Sequence, residues 1–119
     1  MIKSDVNFGK GKIKGIATIS RKYWDKGKLT TNADKILFKG KKSSIEIVTS
    51  EVRNIELVRH RTFKVIKITL QNDDYYHISF SPGENVSRGM AEQYLREIEA
   101  EVKAQNKILY NALQKFLNP

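Results

Sequence analysis

The chain has 119 residues and a formal net charge of +9; 39% of the residues are hydrophobic and 29% are charged. This length suits one domain, and the composition argues against a disordered chain. Cysteine is absent, which excludes disulfides, cysteine-based zinc sites and thiol nucleophiles.

The sequence shows no targeting or membrane-spanning segment. No apolar run approaches the ~20 residues of a membrane-spanning helix. The opening stretch, MIKSDVNFGKGKIKG, lacks the apolar centre of a secretory signal. We therefore expect a cytoplasmic protein.

The first 80 residues are predicted to form a flexible arm followed by strands. Residues 1–12 are polar and rich in Lys and Gly, which predicts a flexible basic arm. Apolar and polar residues then alternate with the period of two that is typical of β-strands. Short turn-forming segments separate the strands, which predicts an antiparallel meander closing as a sandwich or small barrel. The predicted strands are 14–24, 28–32, 35–39, 44–48, 52–58, 63–70 and 74–80.

The period becomes helical after residues 81–83, Ser-Pro-Gly. One helix over 86–117 would be roughly 48 Å long at 1.5 Å per residue, whereas a domain of this size is only ~26 Å across. We therefore expect a folded domain over 13–103 and a helical extension over 104–119. The fold class is α+β and mainly β: a seven-stranded antiparallel sandwich or partly open barrel capped by a long C-terminal helix.

The predicted extension carries an apolar stripe of its own. If residues 86–102 cover the opening of the sandwich, the stripe beyond Gln105 has no surface left within the chain. Exposed apolar stripes of this kind mark interaction sites. We therefore expect a homodimer or a partner helix to pack against Leu109, Leu113, Phe116 and Leu117; the alternative is that the helix folds back onto its own sheet.

Two stretches resemble a known family. GKLTTNADKILFKG (27–40) is similar to the strand pair "G-x-L-x-L-T-x-x-R-L-x-F" of GRAM and bacterial pleckstrin-homology-like domains, and IEIVTSEVRNIEL (45–57) is similar to their following strand and corner. The order of seven strands and one helix also resembles the pleckstrin-homology-like superfold, of which the ubiquitin-binding GLUE domains are a variant. Because this superfold hosts lipid, peptide and ubiquitin binders, the resemblance implies a fold and a binding role.

No constellation for catalysis is present in the sequence. The two histidines, His60 and His77, stand without the spacing of a metal site or a catalytic triad. The Gly/Lys run at 9–15 lacks both the phosphate-loop spacing and a following helix. We therefore expect a non-enzymatic protein without a cofactor or a metal.

Charge is distributed unevenly along the chain. Residues 1–80 hold 17 Lys and Arg against 8 Asp and Glu, whereas 81–119 hold 5 of each. In a meander, alternate connections lie at the same end. The first, third and fifth connections hold eight cations against Asp25, and the others hold four acids and no cation. This sorting predicts a cationic rim.

The predicted rim suits an anionic partner. Lipid-binding pleckstrin-homology domains hold phosphoinositide head groups in that region, so the resemblance implies a lipid site there. We expect the rim to bind anionic phospholipid, peripherally at the membrane, or an acidic protein surface. The alternative function is a protein-interaction or scaffold module that acts through a helix-mediated dimer or by binding ubiquitin or another partner, and nucleic-acid binding ranks third. The candidate residues are Lys26, Lys28, Lys41, Lys42, Arg59, Arg61 and Lys64.

Overall fold

A computed structural model describes residues 1–12, 24–60, 63–81 and 92–119. These ranges form seven β-strands, a short 3-10 turn at Thr49–Glu51 and one α-helix. The strands are β1 Lys3–Lys10, β2 Asp25–Asn32, β3 Lys35–Gly40, β4 Ser44–Val48, β5 Val52–His60, β6 Phe63–Leu70 and β7 Tyr75–Phe80. The helix, α1, spans Glu92–Leu117.

The strands form one antiparallel sheet in the order β4-β3-β2-β1-β7-β6-β5, curled into a half-barrel. β1 makes the curl possible because it serves both halves: Lys3–Phe8 pair with β2, and Val6–Lys10 pair with β7. The expectation of a mainly-β fold with seven antiparallel strands and a C-terminal helix is confirmed. This architecture is compatible with a pleckstrin-homology-like fold.

The first strand differs from the sequence prediction. Residues 1–12 were expected to be a flexible arm, but Lys3–Lys10 form the strand at the centre of the sheet, with Val6 and Phe8 buried. The interior needs only these two apolar residues from β1, so the Lys- and Gly-rich composition hid the alternation. The strand predicted over 14–24 lies outside the described residues except for Trp24. The other six predicted strands correspond to β2–β7.

The main core lies inside the curl of the sheet. Phe8 stacks on Phe38 with ring centroids 4.5 Å apart, and Tyr76 lies 5.2 Å from Phe8. The alternation within the predicted strands also implies a core that contains Ile45, Ile47, Ile66, Ile68, Ile78 and Phe80. Ile45 and Phe80 are half-buried, and the four others are buried.

The helix fills the open side of the curl with its C-terminal half. Leu109 and Leu113 belong to the main core, and Phe116 and Leu117 pack against it. The expectation that these four side chains have no surface within their own chain is therefore wrong. Earlier in the helix, Ile98 and Val102 join a second cluster.

The second cluster shows why the helix is long. It contains Trp24 and Val65, and Val65 alternates with the core residues of β6, so it lies on the outer face of the sheet. The helix therefore begins on the outer face of the sheet, passes the adjacent ends of β6 and β7 and ends inside the curl. No helix of the described ranges has both the length and the apolar character needed to cross a membrane.

Asn106 lies where the helix passes the end of β7 and the start of β6. β6 and β7 are paired from Ile66 and Ile78 onward, and the next partners on that register would be Lys64 and Phe80. The Asn106 amide is inserted there instead. Its Oδ1 accepts from the Phe80 N–H at 2.6 Å, and its Nδ2 donates to the Lys64 carbonyl at 2.9 Å and to Ser79 Oγ at 3.2 Å. One side chain thus takes the place of a backbone ladder pair.

Candidate anion-binding surface

The start of β2 and the turn between β3 and β4 are held together by one carboxylate. Asp25 Oδ1 accepts from the Lys41 N–H at 3.0 Å, and Oδ2 accepts from the N–H groups of Lys42 at 2.9 Å and Ser43 at 2.8 Å. The Ser43 hydroxyl donates to Oδ2 at 3.0 Å. The carboxylate therefore fixes the turn that carries Lys41 and Lys42 beside the strand that carries Lys26.

These hydrogen bonds also set the charge of Asp25. Burial raises the pKa of this carboxyl, but the backbone N–H groups of Lys42, Ser43 and Lys41 outweigh burial and leave it below its ordinary value. Asp25 is therefore ionised at neutral pH. Because it occupies the backbone donors of the turn, the turn offers a ligand its lysine side chains and not a cradle of N–H groups.

Two glycines allow this close arrangement. Gly27 and Gly40 are cross-strand partners in β2 and β3. A Cβ on Gly27 would overlap the Lys39 carbonyl oxygen, and a Cβ on Gly40 would overlap the Asp25 carboxylate. The carboxylate reaches the turn only because position 40 has no side chain.

Like charges face each other on the outer surface of β2 and β3. Lys28 lies directly opposite Lys39, an arrangement that destabilises an antiparallel pair. Lys28 also lies opposite Asp5, and Lys28 Nζ is 3.6 Å from Asp5 Oδ1, with both side chains 59% exposed. Lys39 was not among the binding residues selected from the sequence. The two-residue turn Ala33-Asp34 sets the register of β2 and β3, and this register could have placed Lys39 opposite Lys28.

The end of β5 carries a second such pair, since Arg59 lies opposite Lys64. The Trp24 and His60 ring centroids are 5.9 Å apart, which brings the end of β5 to the residue preceding β2. The structure therefore places the described parts of the cationic connections around Trp24 and Asp25. Arg61 lies outside the described residues.

The acidic connections also meet one another. The Thr49 N–H donates to the Asp34 carbonyl at 2.7 Å, and the Gln71 N–H donates to the Glu51 carbonyl at 2.8 Å. Asp73 forms an ion pair with Arg53. Asp74 Oδ2 instead lies 3.7 Å from the Nζ of Lys10 at the end of β1.

An open groove with a volume of about 450 Å³ lies on the outer face of β2, β3 and β4. Leu37 is half-buried at its centre, next to the Lys28 and Lys39 pair. The sequence analysis did not find this groove, because Leu37 lies in an apolar run, 36–38, that reads as core.

Within the described ranges, no group of three or more His, Asp or Glu side chains could hold a metal ion. His77 is half-buried, with Nδ1 2.9 Å from the Gly11 carbonyl oxygen. Burial is the main reason why the pKa of His77 lies below its ordinary value. The hydrogen bond with Gly11 raises this pKa, whereas Lys67 and His60 lower it further.

No protein-family model matches the sequence, and no curated protein matches it.

Proposed function

We propose that this protein is a non-catalytic binding module that attaches peripherally to membranes by engaging anionic phospholipid. The surface involved is the outer face of β2 and β3 together with the β3–β4 turn. We call it the lysine surface, and it comprises Lys26, Lys28, Lys39, Lys41 and Lys42.

The observation that supports the proposal most directly is the pairing of Lys28 with Lys39. Like charges directly opposite in a sheet destabilise the fold, whereas β5 and β6 show the stabilising alternative in Glu56 opposite Lys67. A cost in folding free energy at an exposed site is understandable if the positive potential attracts an anionic ligand.

The lysine surface fits a lipid better than a nucleic acid. Proteins that bind single-stranded nucleic acid combine cations with aromatic side chains on which bases stack. The outward side chains that line the groove beside the lysines are aliphatic or polar, and the one aromatic residue among the described lining residues, Phe38, is buried in the core and cannot stack on a base. The similarity of 27–40 and 45–57 to GRAM domains gives additional support for lipid, and it concerns the same strands.

The expectation of a helix-mediated homodimer depended on an apolar stripe exposed beyond Gln105, and the structure packs that stripe within its own chain. Leu109 and Leu113 are buried in the core of their own chain, and Phe116 and Leu117 pack against that core. Within the described ranges, Ile108 at 61% exposure is the large apolar side chain left in solvent on the helix. One such residue is too little for an interface.

Vesicle binding tests the proposal. Vesicles that contain phosphatidylserine should bind the protein, purely zwitterionic vesicles should not, and binding should weaken as ionic strength rises. Each lysine near an anionic surface contributes about 1 kcal/mol. Replacing Lys26, Lys28, Lys41 and Lys42 together by Ala should therefore weaken binding by about two to three orders of magnitude.

Two results would contradict the proposal. The first is equal binding of the wild-type and quadruple variant to anionic vesicles. The second is tighter binding to a single-stranded oligonucleotide than to vesicles at the same ionic strength. A circular dichroism melt of the variant checks that the fold survives, which is expected because all four side chains lie on the surface.

A further inference from the structure

The register arranges the outward side chains of the groove as two rows across three strands. The row nearer the β3–β4 turn contains two cations and a hydroxyl, and the other row contains an apolar side chain between two polar ones. The rows are Lys28, Lys39 and Ser44, followed by Thr30, Leu37 and Glu46.

The first row consists of hydrogen-bond donors. Directly opposite Cβ atoms are about 4.5–5.5 Å apart, so the flexible ammonium groups of Lys28 and Lys39 can approach one phosphate from two sides. Lys39 has no carboxylate within ion-pair distance among the described residues, and the pair of Lys28 with Asp5 is exposed. Exposed pairs of this kind contribute little, so Lys28 is readily available to a phosphate.

The second row has an apolar centre and little net charge. Leu37 lies opposite Thr30 on one side and Glu46 on the other. The Glu46 carboxylate lies 2.8 Å from Lys35 Nζ, which offsets its charge. An anion in the groove therefore meets two cations in one row and an apolar, nearly neutral surface in the next.

We infer that the groove binds one molecule of an anionic glycerophospholipid. Its phosphate lies between Lys28 and Lys39, and its glycerol backbone and first acyl carbons lie against Leu37. The volume of about 450 Å³ falls within the ~300–1,000 Å³ of ordinary small-molecule sites. This inference rests on the proposed function and adds a stoichiometric site to a diffuse attraction.

Leu37 distinguishes a lipid from a free phosphate. A phosphate alone uses the donor row, whereas a lipid also covers the leucine and the lysine stems. The probes are dihexanoyl phosphatidylserine below its critical micelle concentration, glycerol phosphate, and dihexanoyl phosphatidylcholine. The first should bind saturably with one molecule per chain. Glycerol phosphate, which lacks apolar surface, and dihexanoyl phosphatidylcholine, which lacks net charge, should each bind at least about fivefold more weakly.

Calorimetry and backbone amide NMR shifts should locate the site with matched variants. Leu37→Asn should weaken dihexanoyl phosphatidylserine about fivefold or more and leave glycerol phosphate unchanged. Ile108→Asn removes an exposed apolar side chain on the helix, far from the groove, and should change neither. Lys39→Ala should weaken both ligands, and Lys103→Ala on the helix should weaken neither.

The inference is overturned if the monomeric lipid fails to saturate, if its shifts lie outside β2–β4, or if Leu37→Asn binds it as tightly as the wild type. If anionic vesicles still bind in that case, only the stoichiometric site is wrong. If vesicle binding is also missing, the proposed function is wrong too. Melting temperatures above the assay temperature show that each variant is folded, and the largest decrease is expected for Leu37→Asn because Leu37 is half-buried.

Discussion

Replacing Asn106 by Ala removes the side chain that joins β6, β7 and the helix. The residue is 1% exposed and takes part in three hydrogen bonds. The variant leaves the Phe80 N–H and the Lys64 carbonyl without partners where water has little access. Each unsatisfied group costs about 1–3 kcal/mol, and the vacated space adds to this. We expect the free energy of unfolding to fall by about 3–5 kcal/mol, a large part of the ~5–15 kcal/mol typical of a domain.

Urea denaturation followed by circular dichroism measures the loss, and hydrogen exchange locates it. The Phe80 amide should lose protection more than other β7 amides, because its acceptor is the missing side chain. Gln114→Ala on the exposed face of the same helix is the control and should change stability by less than about 0.5 kcal/mol. A variant at position 106 within about 1 kcal/mol of the wild type, with Phe80 still protected, would refute the bridging role.

Three further predictions concern the turn and the helix. Gly40→Ala should destabilise the protein by about 1–3 kcal/mol in urea denaturation, because the added Cβ overlaps the Asp25 carboxylate; unchanged stability would contradict the close approach. Asp25→Asn should be less stable than the wild type at neutral pH. The gap should narrow as pH falls below about 4, since a carboxyl whose folded pKa is depressed loses its contribution when it is protonated; a gap that widens on acidification would have the wrong sign. Truncation after Lys103 removes Leu109 and Leu113 from the core and should abolish the cooperative melt; a folded truncated chain would show that the sheet does not need the helix.

The strands that the sequence predicts well are those whose inward positions hold branched or aromatic residues. β6 and β7 place such residues at alternate positions facing the core, at Ile66, Ile68, Tyr76 and Ile78. β1 does not show this pattern. It lies between two strands at the centre of the sheet, and its outward positions Asn7 and Gly9 are also buried. Polar and glycine residues at buried positions are therefore not recognisable from composition.

The helix was assigned correctly, but its packing was not. The length argument treated the sheet as a sandwich with one opening that a short helix covers. The helix instead passes the adjacent ends of β6 and β7, so it needs one apolar patch on the outer face of the sheet and another inside the curl. Asn106 stands between Val102 and Leu109 within the apolar stripe. A polar residue inside a stripe was the one local sign that the helix meets backbone at that point.

Four lysines of the candidate surface were selected from the sequence. Counting charges by connection selected Lys26, Lys28, Lys41 and Lys42, although the structure places Lys26 and Lys28 within β2 and not in a connection. The roles of Lys39 and Leu37 depend on the cross-strand register, which follows from the length of the β2–β3 turn. That Asp25 uses the donors of the turn is visible only in three dimensions.

The most direct test of the central claim compares two charge reversals that change the net charge equally. Lys28→Glu with Lys39→Glu alters the lysine surface, and Lys103→Glu with Lys107→Glu alters exposed positions of the helix. In sedimentation with phosphatidylserine vesicles at physiological ionic strength, we expect the first variant to lose binding and the second to retain most of it. Equal loss in both variants would show that attraction follows the net charge alone, and it would contradict a membrane-binding role for the lysine surface.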